Sequence, residues 1–488
     1  TNSIGLIFSV WFLASRWRRS RSHTVMSYLS ERYGVGTNQL YSWTHLGIWI
    51  VQGGIGLLSL GKFVSVAMGT DLAMTIIVCG AVIAVYCLIG GLWGVVVTDT
   101  LQFMVLFPIA LVVLGLSLFE LGDLSRFVTA APPDFWSVKT QEFSWDWLVA
   151  YGIMMTFAMS SGGAAQRYFS VRDEREARKV ALLVMILLAV APFIWLVPPI
   201  VTRLIGLDLS QVAVGQNAPH EAAYIAFCMK YLPPGAMGIL LAAMLSATMS
   251  TLSANFNIMA GLITDDIIRQ MFWKKASPRA LLFIARVMTL VLAALVIMAA
   301  LAQSHVKGGV FKLMVTLSGA VIIPAGIPII FGLFYKYTPF WAAAASYITG
   351  LVIGLGALFF DHELSFQTQI FGVGGLSAAI FFLPGLFIQA KGKYKEQLEA
   401  FFRKVETPVA PGEVDDTEDE DTGSVRITGW TTVGMGLAAM ILVFLPDLTV
   451  MGRVINLFIA SIMTLLGGLV FVLGWILQKQ KKHRRANA

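Results

Sequence analysis

The chain has 488 residues, of which 57% are hydrophobic and 13% charged, with a net charge of +7 and a mean hydropathy of +0.76. A string of soluble domains is excluded, because soluble surfaces need far more charge, ordinarily about 25% of residues, to cover them. A nucleic-acid partner is excluded as well, since the basic residues stand in short clusters between apolar runs.

What remains is an all-α polytopic membrane protein, with membrane lipid as its solvent. At about 20 apolar residues per bilayer crossing, thirteen candidate spans follow in chain order. They lie at about 2–15, 44–68, 73–97, 101–121, 147–165, 180–204, 235–262, 281–303, 310–335, 340–360, 370–390, 428–447 and 452–477. The first is short and the chain opens on Thr1 rather than Met, so a preceding portion is expected. Cys79, Cys87 and Cys228 each fall inside an apolar run, at spacings that fit neither disulfides nor a metal, and read as packing residues.

Orientation follows from the basic clusters. Arg16, Arg18, Arg19 and Arg21 follow the first span, Arg167, Arg172, Arg175, Arg178 and Lys179 the fifth, and Arg269, Lys274, Lys275 and Arg279 the seventh. Lys391, Lys393 and Lys395 follow the eleventh, and Lys479, Lys481, Lys482, Arg484 and Arg485 the last. All follow odd-numbered spans, so all share one side, the cytoplasmic one, and the C-terminus lies inside. The loop at about 122–146, with Pro132, Pro133, Trp136 and Trp145, suits an outer lid. Residues 405–427 include Glu413, Asp415, Asp416, Glu418, Asp419, Glu420 and Asp421. They read as a solvated spacer, with regulatory contact to the basic loops as the other reading. The expected organisation is a core over 1–360, a span and basic segment over 361–404, this linker, and two accessory helices with a basic tail over 428–488.

The seventh span carries the most chemistry. Pro233-Pro234-Gly235 opens it, as Pro does early in a helix. Ser246, Thr248, Ser250, Thr251, Ser253, Asn255 and Asn257 make seven of its twelve residues from Ser246 to Asn257 polar but uncharged. Ser246, Ser250, Ser253 and Asn257 form one helical stripe. Two or three such residues are ordinary interhelical hydrogen bonding; seven suit oxygen ligands for a hard cation or a polar solute. The Ala247 carbonyl with the Ser250 and Thr251 hydroxyls presents three oxygens to one point.

Two further segments stand out. Gly90-Gly91 through Thr98-Asp99 and Gln102 permit a tight turn between the third and fourth spans, with Thr98 or Thr100 as cap. Asp99 is then either a helix-starting carboxylate or an acid that steers a cation. Ser160-Ser161-Gly162-Gly163 through Gln166-Arg167 is either a span terminus or a flexible break of the kind that marks transporter sites.

Together these residues resemble the sodium/solute symporter family of sodium–glucose, proline and pantothenate symporters. Gly90-Gly91…Thr98-Asp99…Gln102 is similar to its GG…TD…Q segment, Gln166-Arg167 to its QR loop, and Pro234-Gly235…Met249-Ser250-Thr251-Leu252-Ser253…Asn257 to its eighth core helix. The resemblance runs from about residue 1 to 360. It implies a five-plus-five inverted-repeat, leucine-transporter-like core that begins at the second core helix, so the sequence reads as N-terminally truncated, with accessory C-terminal helices beyond. It implies a sodium site at Ala247 (carbonyl), Ser250 and Thr251, half of which the absent first core helix would normally supply. Asp99 maps onto an acid associated with sodium handling.

Sugar-transporting relatives carry polar and aromatic gate residues where this chain has Met154, Met155, Thr156, Phe157 and Ala158, so Phe157 alone is a candidate gate aromatic. Where they carry a polar pair before Ser318-Gly319, this chain has Val315 and Thr316. The expected function is sodium-coupled symport of a small organic solute, less hydroxylated than a sugar, across the plasma (inner) membrane by alternating access. Na+ is the coupling ion and no organic cofactor is expected. The alternative is a membrane sensor that keeps the fold without net transport. An enzyme is not expected: no His pair, HExxH or paired carboxylates lie at membrane depth.

Overall fold

The computed structural model describes residues 2–137, 139–140, 143–209, 212, 219–306, 309–359, 364–410, 413, 422–446 and 448–486. Among these the chain is helical and contains no strand. Among the described residues twelve helices are long and apolar enough to cross a membrane, from Val35–Met68 to Val450–Ile476. The first expected span does not join them. Residues 2–19 form a continuous helix with a π-helical turn at Ser9–Leu13, and Arg16, Arg18 and Arg19 occupy its last turn, the basic cluster expected to follow that span.

Local chemistry explains where several helices start. The Asp71 carboxylate accepts the Met74 amide at 2.9 Å to cap the long helical run Leu72–Leu121. Thr24 and Ser27 form a reciprocal capping box for Val25–Tyr33. Ser277 and Pro278 together start Pro278–Gln303. The run Leu72–Leu121 holds two spans, Leu72–Ile89 and Thr98–Leu121. In a straight helix residues 86 and 98 would lie ~18 Å apart, yet the Tyr86 and Thr98 hydroxyls are hydrogen-bonded. The backbone is nevertheless helical throughout Leu72–Leu121, so the run bends between Tyr86 and Thr98 and does not form the tight connection expected at the two glycines. Thr98 spends its hydroxyl on Tyr86 there.

The chain divides into two compact units. The first comprises residues 1–46, 134–191 and 311–416. In it the opening helix lies so close to the helix Trp145–Ser160 that a Cβ on Gly5 would sit 2.7 Å from the Thr156 Cα. Two hydrogen bonds seal this contact: Ser9 to Ser160 between hydroxyls at 3.0 Å, and the Trp17 indole to the Ser160 carbonyl at 3.3 Å. The second unit comprises residues 47–133, 192–310 and 417–488. There Gly54 and Gly80 bring their helices against Ala299 and Ile297 of Pro278–Gln303. Helices Thr422–Ala439 and Val450–Ala486 pair through Gly429, Gly436 and Gly467. Small residues at these crossings serve packing in lipid, where burial of apolar surface supplies no drive between helices.

Candidate functional site

The polar helix is Pro234–Gly261, opened by Pro233 in extended conformation with Pro234 in its first turn, and it continues as a π-helical stretch, Leu262–Phe272. It lies in the second unit, packed against the run Leu72–Leu121. Leu252, Ser253, Phe256 and Met259 are buried, with Leu252 against Gly53. The opposite side is different: Thr251 and Ala254 are exposed, and Ala247 and Ser250 are half-buried.

Two of the expected oxygens lie side by side there, and a second such bond forms on the buried side. The Thr251 hydroxyl donates to the Ala247 carbonyl at 3.2 Å, and the Ser253 hydroxyl to the Ser250 carbonyl at 3.0 Å. Back-bonding to a carbonyl one turn earlier is ordinary for Ser and Thr in helices. It also sets two oxygens about as far apart as neighbours in the shell of a hard cation held at about 2.3–2.6 Å. The Ser250 hydroxyl has no hydrogen-bond partner among the described residues and remains free to turn toward the same point. The stripe Ser246, Ser250, Ser253 and Asn257 runs along this one helix, with Ser253 fully buried and the other three half-buried.

Asp99 lies in the same unit, at the second residue of the span Thr98–Leu121. Its Oδ1 is buried without a hydrogen-bond partner among the described residues, and so is Oε1 of Gln102 one turn on. Buried acceptor oxygens left without donors are costly and favour a cation nearby. The side chains of residues 90–97 lie outside the described set.

Phe157 belongs to the first unit, apart from these residues in the fold's division. It is half-buried, and its ring fills the space over Gly326, where a Cβ would meet Cδ1 at 2.5 Å, with the Phe331 ring centroid 6.1 Å away. Just after it the helix breaks. The Phe157 carbonyl accepts both the Ser161 amide at 3.1 Å and the Ser161 hydroxyl at 2.7 Å, and Gly162 takes φ +57° before a new helix begins at Gly163. Only glycine enters that conformation without strain, so the Gly-rich segment is a true interruption. Lys62 was not singled out in the sequence; its signal was a lone cation in an otherwise apolar span.

The model of the sodium:solute symporter family matches residues 2–350. The chain belongs to this family. Among curated members, it is 24% identical over 373 residues to solute carrier family 5 member 4B of Mus musculus, covering 68% of this chain and 56% of that protein. It is 24% identical to sodium/myo-inositol cotransporter 2 of Rattus norvegicus (73% and 58% covered) and to sodium/glucose cotransporter 1 of Ovis aries (71% and 58%). The chain thus spans a little over half the length of these relatives. A solved structure of a Na+-coupled sialic acid symporter, in a substrate-bound outward-open state, superposes with a TM-score of 0.63 at 19% identity, covering 80% of this chain and 83% of that one. As a family member the chain is a multi-pass membrane protein with the leucine-transporter-like fold, and its relatives are transporters, not enzymes.

Proposed function

We propose that the protein couples the inward movement of Na+ to that of a small organic solute. One observation carries the reading. The Ala247 carbonyl and the Thr251 hydroxyl stand 3.2 Å apart on the more exposed side of their helix, along with Ser250, whose hydroxyl has no partner among the described residues. Three neutral oxygens suit a monovalent hard cation, which must bind without being trapped. Asp99, with its buried free oxygen, acts as a waypoint for the ion and not as its final ligand.

Alternating access then exposes the loaded site to each side of the plasma membrane in turn. The basic clusters put the C-terminus in the cytoplasm. Each charge carried across 100 mV releases about 2.3 kcal/mol, enough for roughly 50-fold accumulation of solute. Buried Met154, Met155 and Val315 support a solute less hydroxylated than a hexose. Phe157 serves as a gate aromatic by swinging from its seat on Gly326.

Uptake into proteoliposomes tests the reading. An imposed inward Na+ gradient is expected to drive accumulation of the solute. The pair Ser250→Ala with Thr251→Ala is expected to weaken apparent sodium affinity by about tenfold or more, the loss of two oxygen ligands. Uptake indifferent to sodium would sink the proposal.

A further inference from the structure

Lys62 is the one Lys or Arg in the apolar stretch 44–68, which holds no Asp or Glu. It stands six residues before the end of the helix Val35–Met68, ~9 Å along the axis. An ionised group at that depth needs a partner. Its ammonium is 3.6 Å from Oε2 of Glu221, and both side chains are about four-fifths buried, at 18% and 20% exposure. The other carboxylate oxygen of Glu221 accepts the Val310 amide at 2.8 Å. These three groups border a cavity of about 170 Å³ that Ser59, Phe63 and Ala222 also line.

The pair is not what docks the loop that carries Glu221. Ala222 and Ile225, 1% and 3% exposed, already pack against Phe63, Val66 and Ala67 on the next turns of the Lys62 helix. The carboxylate has a separate task. Val310 is the second residue of the helix Gly309–Phe331, so its amide has no acceptor within that helix. A carboxylate there satisfies the amide and complements the positive end of the helix dipole. Val310 is also the last residue of its stretch of the second unit, and Phe311 belongs to the first.

We infer that Glu221 is a positioning residue: oriented by Lys62, it fixes the Val310 amide and with it the first turn of the helix Gly309–Phe331.

Hydrogen–deuterium exchange on the full chain in nanodiscs tests this without any transport assay, so failure of the symport reading leaves it intact. Glu221→Ala is expected to speed exchange of a peptide spanning 305–315 by about tenfold, with 223–231 unchanged. Glu221→Gln, which keeps an acceptor oxygen, is expected to retain most of the protection. Lys62→Met is expected to give a smaller increase at 305–315, and covers the case in which Glu221→Ala does not fold. Wild-type exchange at 305–315 in both Glu221→Ala and Lys62→Met would overturn the inference. An equal rise along 223–231 would overturn it too, because the whole loop would then have loosened.

Discussion

Arg32 donates to the Tyr394 hydroxyl at 2.7 Å, joining two helices 362 residues apart in sequence, and its side chain is wholly buried with no carboxylate paired to it among the described residues. Its remaining donors reach the Gly332 carbonyl at 3.2 Å and the Tyr335 carbonyl at 2.9 Å, just past the C-terminal end of Gly309–Phe331. The guanidinium also lies over the Tyr33 and Phe402 rings, 4.6 and 5.3 Å from their centroids. Orphan carbonyls at a helix end, with the negative pole of the dipole, replace the missing anion. Tyr28 and Tyr33 add hydrogen bonds to the Pro328 carbonyl, and Tyr41 one to that of Ala325.

Arg32→Ala is therefore expected to destabilise the protein by about 3 kcal/mol or more, since it strands two carbonyls and a phenol. Tyr394→Phe removes one acceptor and costs about 1 kcal/mol. Thermal unfolding in one detergent, compared across the three proteins, measures the order. Equal melting temperatures for wild type and Arg32→Ala would refute the clasp.

Arg21 and Glu413 form a second long-range pair, with both carboxylate oxygens engaged. The same guanidinium donates to the carbonyls of Lys404 and Pro408. It joins one residue of the acidic segment to a basic loop; residues 411–412 and 414–421 lie outside the described set. The bond from Arg21 lowers the Glu413 pKa from an ordinary 4.5 to about 2. A lowered folded-state pKa means that the contact is fully present above about pH 4.5 and is lost as pH falls toward 2. Exchange along 404–413 is expected to stay slow down to pH 4.5 and to rise below it. Arg21→Gln is expected to show fast exchange at every pH. Because the pair is exposed, high salt is expected to weaken it.

Asp99→Asn tests the buried free oxygen. It removes the charge at nearly constant volume, so folding is expected to persist while sodium dependence of uptake weakens several-fold. A variant that transports with unchanged sodium dependence would show that Asp99 only starts its helix.

Gly467 abuts the partner helix so closely that an added Cβ would stand 2.6 Å from the Val433 amide nitrogen. Backbone cannot yield as a side chain can, so Gly467→Ala is expected to cost about 1–3 kcal/mol. Gly468→Ala meets nothing within 4 Å and serves as the matched control. A melting temperature lowered in the first and kept in the second is the expected pattern.

Much of the architecture was legible because it is written in local terms. A run of about 20 apolar residues must be helical in lipid, where every backbone polar group needs a partner within its own segment. Pro233-Pro234 and Gly162 mark a helix start and a helix break for reasons confined to their own backbones. The neighbouring oxygens of Ala247 and Thr251 follow from spacing along a single chain segment.

What the sequence by itself determined, then, is the membrane class, the family and the candidate ion ligands, since period, composition and motif are properties of neighbours in the chain. Only the tertiary structure decided which charges pair: Arg32 with a helix end, Arg21 with Glu413, Lys62 with Glu221. It alone showed that Thr251 faces outward while Ser253 is buried two residues later. Each of these depends on which helices pack together, and apolar helices in lipid carry little in their sequence to say which neighbour they choose.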